Sequence, residues 1–230
     1  MEMIEKYYND IKNLKWVPKE KPDNIWESEW PYSFIDFDVN FNVMYEEIRS
    51  LEETYFIKHR DKDKLNSYFH EGWNAVTLHG IDPSKTENYD RYGFKSEEEA
   101  NYHWTEVCEF LPNTVNFLKS LNYEKYGRVR IMKLNAGGYV MPHTDGIGRI
   151  FGPFNIAINN PEGCSFIFKN EGIVPFKTGR GVFLDLGREH AVWNNSNEDR
   201  YHIIVHGHIN PELIDKSITL TYNNLNEDNK

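Results

Sequence analysis

From Gly127 onward the chain is a series of short apolar runs separated by turn residues, and this pattern limits the folds open to it. The runs are rich in Val, Ile and Phe, and Gly, Pro or Asn stands between them. Short strands at such spacing are typical of a sandwich or barrel. The sequence therefore predicts a mainly β fold with flanking helices. The predicted strands are 127–134, 139–142, 154–158, 164–168, 173–176, 181–186, 190–194 and 200–209.

The first half of the chain has the pattern of packing helices and irregular connections. Apolar residues recur with helical spacing in residues 1–14 and 41–56. A capping-box sequence at Ser96 predicts a helix over 96–111. Pro112 should end or kink that helix before a further helical stretch around 115–121.

The predicted elements suggest one structural domain in three parts. Residues 1–126 would form helices and loops that pack on the barrel and cover it, and residues 127–213 would form the barrel itself. Residues 214–230 would be a C-terminal tail. Its end, from Asn223 to Lys230, is polar enough to predict disorder.

Charge and cysteine content exclude several classes of protein. A net charge of −10 and a pI near 5.4 argue against a nucleic-acid-binding surface, which needs clustered Lys and Arg. The two cysteines, Cys108 and Cys164, match neither a disulfide framework nor a zinc pattern. No apolar run resembles a signal peptide or a membrane span. We therefore expect a cytoplasmic protein, of open oligomeric state, that associates with neither membrane nor nucleic acid.

Three residues have the types and spacing of a metal site. His143 and Asp145 project to the same face of an extended segment, and His190 begins a later strand. Two His and one carboxylate form the facial triad of non-haem Fe(II) oxygenases, which leaves positions open on the metal. The His-x-Asp pair alone is a weak signal, because chance produces it easily in a chain with nine His. His190 has a structural alternative, a capping role after the turn at Gly187.

Arg200 begins the last predicted strand, and His202, His206 and His208 share its face by period-two alternation. If this face lines the interior of a barrel, the arginine needs an anion, because an unpaired buried charge costs several kcal/mol. A bound dicarboxylate would supply one. The structural alternative is an ion pair with Asp185.

Five segments with family-specific motifs follow one another over residues 127–213. They are Val129–Gly146, Asn155–Cys164, Gly181–Asp185, His190–Asn194 and Arg200–Leu213. Together they resemble the aspartyl/asparaginyl β-hydroxylase-like family of Fe(II)- and 2-oxoglutarate-dependent oxygenases, which includes enzymes acting on free amino acids.

The resemblance implies a double-stranded β-helix, the jelly-roll or cupin-like core, with Fe(II) on His143, Asp145 and His190. It also implies 2-oxoglutarate and O2 as co-substrates, with Arg200 on the distal carboxylate. His202, which shares the face of Arg200, is a further candidate contact to 2-oxoglutarate. The family's eponymous hydroxylase has glycine at the position of Asp145.

Asn155 stands where the eponymous hydroxylase has a histidine that contacts 2-oxoglutarate, and Pro153 stands where it has a basic residue. An amide still donates a hydrogen bond, so Asn155 is predicted to contact the co-substrate.

The function that the resemblance implies is hydroxylation of a free amino acid, or of an amino-acid side chain in a peptide, with succinate and CO2 as co-products. One alternative is another oxidation on the same fold, such as desaturation or epimerisation. A second is a non-catalytic cupin-like binding or sensor module.

Three residues outside the triad are candidate substrate contacts. Arg130 could hold a substrate carboxylate, although arginines on a strand face are often solvated. Trp73 and His79 lie in the region that must cover the barrel opening, where a packed tryptophan is the usual structural outcome.

Overall fold

The computed structural model describes residues 1–59, 69–146 and 151–227 of the chain. Antiparallel strands dominate this part of the chain, with helices before, between and after them. The longer helices are α1 (Glu2–Ile11), α2 (Phe41–Arg49), α3 (Pro112–Ser120) and α4 (Pro211–Glu227). The strands are β1 (Tyr32–Asp36), β2 (Ile57–Lys58), β3 (His70–Gly80), β4 (His103–Trp104), β5 (Lys125–His143), β6 (Phe151–Ala157), β7 (Cys164–Phe168), β8 (Gly172–Val174), β9 (Arg180–Asp185), β10 (His190–Asn194) and β11 (Arg200–His208).

One long strand, β5, connects the two halves of the barrel. The strands follow the order β1-β9-β6-β11-β5-β10-β7-β8 and curl into a nearly closed barrel. The first part of β5 pairs with β11, where Leu134 lies opposite Arg200. Its last part pairs with β10, where His143 lies opposite His190. Strand β3 pairs with β5 as well. The mainly β, jelly-roll prediction is confirmed.

The partner of β5 changes at residues 135–138, and two glycines make this possible. Gly137 has a φ of +73°, in the left-handed region that favours glycine. Gly138 is buried, and a Cβ there would lie 2.8 Å from the carbonyl oxygen of Asn135 and 2.9 Å from that of Glu71. The backbone of β3 therefore approaches this bend too closely for any side chain at Gly138.

Replacing Gly138 with alanine should destabilise the protein by roughly 1–3 kcal/mol, because the new methyl group overlaps two backbone oxygens that cannot move independently. The free energy of unfolding in urea measures this. The matched control is Gly137→Asn, since a Cβ at Gly137 meets nothing within 4 Å and asparagine tolerates a positive φ. Equal stability of the two variants would contradict the argument.

Strand β11 separates the outer core from the interior of the barrel. Tyr201, Ile203 and Val205 are buried in the apolar cluster that also contains Ile48 of α2 and Leu118 of α3. The alternate residues, beginning with Arg200, line an interior cavity. The predicted period-two alternation of this strand is confirmed from Arg200 to His206, and it places the polar face where a ligand could bind. It is wrong for His208, because the register shifts between Val205 and Gly207 and leaves His208 exposed, outside the described cavity wall.

Four strands of the first half of the chain, β1 to β4, were not predicted. Strand β1 pairs with β9, and β3 pairs with β5 from His70 to His79. The sequence of β3 contains Gly72 and several polar residues, so its alternation is weak. Its conformation depends on the ladder of hydrogen bonds to β5, a long-range contact that local propensity does not encode.

The helix predicted over 96–111 is wrong for most of its length, because residues 97–101 form turns and only Glu106–Phe110 are helical, as a short 3-10 helix. The N–H of Glu99 donates to the Ser96 hydroxyl as a capping box requires, but Asn101 then adopts a φ of +53°. The chain goes on as β4 beside β3, and Thr105 donates to Leu78 from its backbone. The 3-10 helix ends at Phe110, and Pro112 begins helix α3 at its first turn, where its missing N–H costs nothing.

The disorder predicted from Asn223 is wrong as far as Glu227, where α4 ends, and residues 228–230 lie outside the described residues. Helix α4 packs on β1. The Ser217 hydroxyl bonds to that of Ser33 at 2.9 Å, and the Thr221 hydroxyl accepts from the N–H of Phe34 at 2.7 Å. These buried polar contacts stabilise a helix whose own composition is unfavourable. None of the helices described is long and apolar enough to cross a membrane.

Candidate active site

Strands β5 and β10, with the segment that follows β5, bring the three predicted metal ligands together. The rings of His143 and His190, paired across β5 and β10, lie 4.2 Å apart between centres. Asp145 is held by its backbone N–H, which donates to the carbonyl of Leu186 at 3.0 Å. One ligand atom from each of the three residues lies within 4.8 Å of the others. The folded chain thus forms a cluster with the donors of a facial triad.

Backbone carbonyls fix the orientation of both imidazole rings. Nδ1 of His143 lies 2.8 Å from the carbonyl oxygen of Met141, and Nδ1 of His190 lies 2.9 Å from that of Arg188. Because a carbonyl only accepts, each Nδ1 carries the proton and Nε2 has the lone pair. The His190 ring also stacks on Phe166, at 5.3 Å and 9°. Both rings are therefore oriented without any metal.

The three predicted ligands open onto a cavity of about 120 Å³ inside the barrel. Apolar side chains of β7 and β10 form part of its wall. Most of the other predicted site residues line it too, namely Trp73, Arg130, Asn155, Arg200 and His202.

Arg200 is a buried cation in the wall of this cavity, only 2% exposed. It donates from Nε to the Asn160 side chain at 3.3 Å and from a terminal nitrogen to Nδ1 of His202 at 2.9 Å. Burial lowers the pKa of its guanidinium. No carboxylate pairs with it among the residues the structure describes. Asp185, the structural alternative, pairs instead with Arg188 at 3.1 Å.

Two neutral histidines share the cavity with the arginines. Burial lowers the pKa of His202 well below its usual value, and the charges of Arg200 and Arg130 lower it further. The pKa of His206 is lowered well below its usual value by burial, and then by Arg130 and Arg128. Each ring therefore acts as a hydrogen-bond acceptor toward a guanidinium rather than as a second charge.

The ligand-free protein should lose stability as the pH falls below about 6.5. The unfolded chain then protonates His206 while the folded protein does not, which costs up to about 1.4 kcal/mol per pH unit for such a group. Urea unfolding at pH 7.5, 6.5 and 5.5 measures the dependence. His206→Gln should give a shallower slope below pH 6.5. An unchanged slope would show that His206 takes up its proton in the folded state.

His79 is the predicted site residue that the fold places elsewhere. It is absent from the described wall of the cavity, and its Nδ1 lies 2.6 Å from the carbonyl oxygen of Gly127. Its ring packs edge-on against Trp104 at 5.1 Å. These contacts give His79 a packing role between β3 and β5.

His59 lines the cavity, although no pattern in the sequence predicts it there. Its Nε2 lies 3.1 Å from a terminal nitrogen of Arg130, and its Nδ1 lies 3.0 Å from the Thr86 hydroxyl. The three residues are far apart in the sequence and belong to no motif. No sequence signal could have joined them without knowledge of the strand pairing.

The sequence profile of the aspartyl/asparaginyl beta-hydroxylase family matches residues 38–208, which include the barrel and the triad. The chain belongs to this family. As a member it is an enzyme, an oxygenase that depends on Fe(II), 2-oxoglutarate and O2. No curated protein matches the chain.

Several solved structures are similar to this family member. One is the viral collagen prolyl hydroxylase of Paramecium Bursaria Chlorella virus-1, with 16% identity, 79% of this chain and 97% of that chain covered, and a TM-score of 0.44. A prolyl hydroxylase of Trichoplax adhaerens has 14% identity, 81% and 87% coverage, and a TM-score of 0.47. A prolyl-4-hydroxylase of Pseudomonas putida has 13% identity, 77% and 91% coverage, and a TM-score of 0.43.

Proposed function

We propose that this oxygenase hydroxylates a free amino acid, or an amino-acid side chain in a peptide, and that His143, Asp145 and His190 hold its Fe(II). The donor set supports this assignment, because two imidazole nitrogens and one carboxylate oxygen leave open positions on the metal. The fixed rings support it as well. Histidine ligands almost always donate their other N–H to a carbonyl, carboxylate or water, as both rings do here.

The observation that carries the proposal is the buried guanidinium of Arg200 in the same cavity as the triad. A buried cation needs an anion, and a dicarboxylate that binds the metal with one end could bring its other carboxylate to Arg200. We therefore assign Arg200 to the distal carboxylate of 2-oxoglutarate. His202 holds the guanidinium in position. Asn155 donates to the carbonyl of Pro153 at 3.0 Å and presents its carboxamide at the wall as a further contact.

Bound iron and 2-oxoglutarate supply the capacity to oxidise an unactivated C–H bond, with succinate and CO2 as co-products. The chain's own residues position the reactants and exclude water. Phe166, Leu186 and Val192 give the cavity an apolar wall beside the triad. Trp73 and Arg130 are the proposed substrate contacts, and Trp73 packs edge-on against His59 at 4.6 Å.

Succinate formation from 2-oxoglutarate by the iron-loaded protein in air tests this function, with pools of free amino acids and short peptides added in turn. We expect one pool to stimulate turnover, and Asp145→Ala to abolish it. Product mass separates the possible reactions, since hydroxylation adds an oxygen atom, desaturation removes two hydrogens and epimerisation changes nothing. Binding of 2-oxoglutarate without turnover in any pool would contradict the proposed hydroxylase activity. It would favour a non-catalytic binding module.

A further inference from the structure

The turn between β9 and β10, residues 186–189, holds two of the three predicted metal ligands through its backbone. The carbonyl of Leu186 accepts the N–H of Asp145 at 3.0 Å. The carbonyl of Arg188 accepts from Nδ1 of His190 at 2.9 Å. A displacement of this one turn would therefore move Asp145 and the ring of His190 together.

Few backbone contacts hold the turn itself. The N–H of Arg188 closes it by donating to the Asp185 carbonyl at 3.1 Å, and the N–H of Lys169, just after β7, donates to the Glu189 carbonyl at 3.1 Å. The Asp185 carboxylate accepts a longer hydrogen bond, at 3.3 Å, from the N–H of Gly187. A turn of this kind opens more easily than the strands beside it, so side-chain contacts have a large share in keeping its carbonyls in place.

The guanidinium of Arg188 ties the turn to two other connections of the fold. Its Nε donates to the Asp185 carboxylate at 3.1 Å, and its terminal nitrogens donate to the Glu171 carboxylate at 2.6 Å and to the Glu29 carbonyl at 2.8 Å. Glu171 lies between β7 and β8, and Glu29 lies before β1. The side chains of Asp185 and Glu171 are only 4% and 11% exposed. These charge-assisted bonds are therefore shielded from water, unlike those of an ordinary surface ion pair.

We propose that Arg188 is a positioning residue of the metal centre. Its ion pairs fix the turn 186–189, and the carbonyls of that turn orient Asp145 and the ring of His190. This rests on the proposed function and adds to it a residue that is absent from the described cavity wall. Partners that orient metal ligands in this way contribute to metal affinity although they do not touch the metal.

The first test measures metal affinity and needs no turnover. Co(II), which accepts the same nitrogen and oxygen donors as Fe(II), is titrated into the protein in competition with a chelator, without oxygen or 2-oxoglutarate. Arg188→Met should bind Co(II) about 10–100-fold more weakly than the wild-type protein, the usual cost of losing an outer-shell partner. Arg188→Lys keeps the charge but cannot serve three acceptors in a planar fork, so it should recover only part of the affinity.

The second test uses the metal-free protein and has an internal control. The Nδ1 protons of His143 and His190 are followed by nuclear magnetic resonance with labelled histidine and assigned from His143→Gln and His190→Gln. In Arg188→Met, the His190 proton should exchange with water at least about tenfold faster, because the turn that carries its acceptor opens more often. The His143 proton should keep its rate, because its acceptor is the Met141 carbonyl on β5.

Arg180→Met is the matched control for lost stability. Arg180 stands at the opposite end of β9 from the turn, and it donates to the Asp36 carboxylate and to the Pro175 carbonyl. Its removal should lower the free energy of unfolding and leave Co(II) affinity within about twofold of the wild-type value, since the two sites share no partner.

Three outcomes would overturn the inference. They are wild-type Co(II) affinity in Arg188→Met, equal acceleration of proton exchange at His143 and His190, and an equal loss of Co(II) affinity in Arg180→Met. Should Arg188→Met fail to fold, Glu171→Gln takes its place, with an expected loss of about threefold or more, because a neutral acceptor forms a weaker hydrogen bond than a carboxylate. Wild-type affinity there would also overturn it. Failure of the wild-type protein to bind Co(II) would instead refute the proposed metal site.

Discussion

Replacing His143 with alanine is expected to remove Fe(II) binding and Fe(II)-dependent turnover together, while the barrel remains folded. Loss of an outer-shell partner alone costs about 10–100-fold in metal affinity or activity, so loss of a ligand should cost at least about 100-fold. The measurements are iron content after dialysis, succinate formation and the melting temperature. The Asp145→Ala variant should behave in the same way.

His103→Ala is the matched control, because His103 is exposed and is not part of the described cavity wall. It should bind iron and turn over like the wild-type protein. If His143→Ala retained both iron and turnover, the triad would not be the metal site. If it lost the fold, iron content would be measured instead on His143→Gln, which keeps more of the side-chain volume.

Replacing Arg200 with methionine should weaken 2-oxoglutarate binding by about 2–5 kcal/mol, the usual cost of truncating one partner of a buried charge pair. This corresponds to a loss of affinity between roughly 30-fold and several thousandfold. The ligand-free protein should change in stability by less than about 2 kcal/mol. Removing a desolvated cation compensates for the hydrogen bonds lost at Asn160 and His202. Calorimetry with Mn(II)-loaded protein and urea unfolding provide the two measurements.

Arg180→Met should show the opposite pattern. Arg180 is also buried, but it forms a bidentate ion pair with Asp36 at 2.6 and 2.9 Å, and it is absent from the described cavity wall. Its removal should destabilise the protein, because Asp36 loses its bidentate partner and keeps only the ion pair with Lys177. It should leave 2-oxoglutarate affinity unchanged. Undiminished 2-oxoglutarate affinity in Arg200→Met would move the anchor to another residue.

The sequence predicted strands and their inward faces correctly where a short-range pattern of residues coincides with a buried face. Strand β11 is the clearest case, because alternation alone separates Arg200 and His202 from Tyr201 and Ile203. The predicted strand 190–194 has the same bounds as β10. In contrast, the helix predicted from Ser96 does not form, because Asn101 adopts a positive φ and the residues after it form hydrogen bonds to β3.

The triad and the neighbours of Arg130 differ in whether a sequence motif connects their residues. His143 and Asp145 are neighbours in the sequence, and a motif predicted their partner His190. The groups around Arg130 are a histidine 71 residues before it, a carbonyl 44 residues before it and a histidine 76 residues after it. They have no spacing that a motif could record.

The sequence by itself determined the β fold, the identity of the three candidate ligands and the presence of Arg200 on an inward face. These follow from residue types and from a period of two, which every strand obeys locally. Only the tertiary structure decided that Arg200 has no carboxylate partner among the described residues, that His79 lies outside the described cavity wall and that His59 approaches Arg130. The physical reason is that these contacts join segments far apart in the chain, and only the pairing of β3 and β11 with β5 brings them within hydrogen-bond distance.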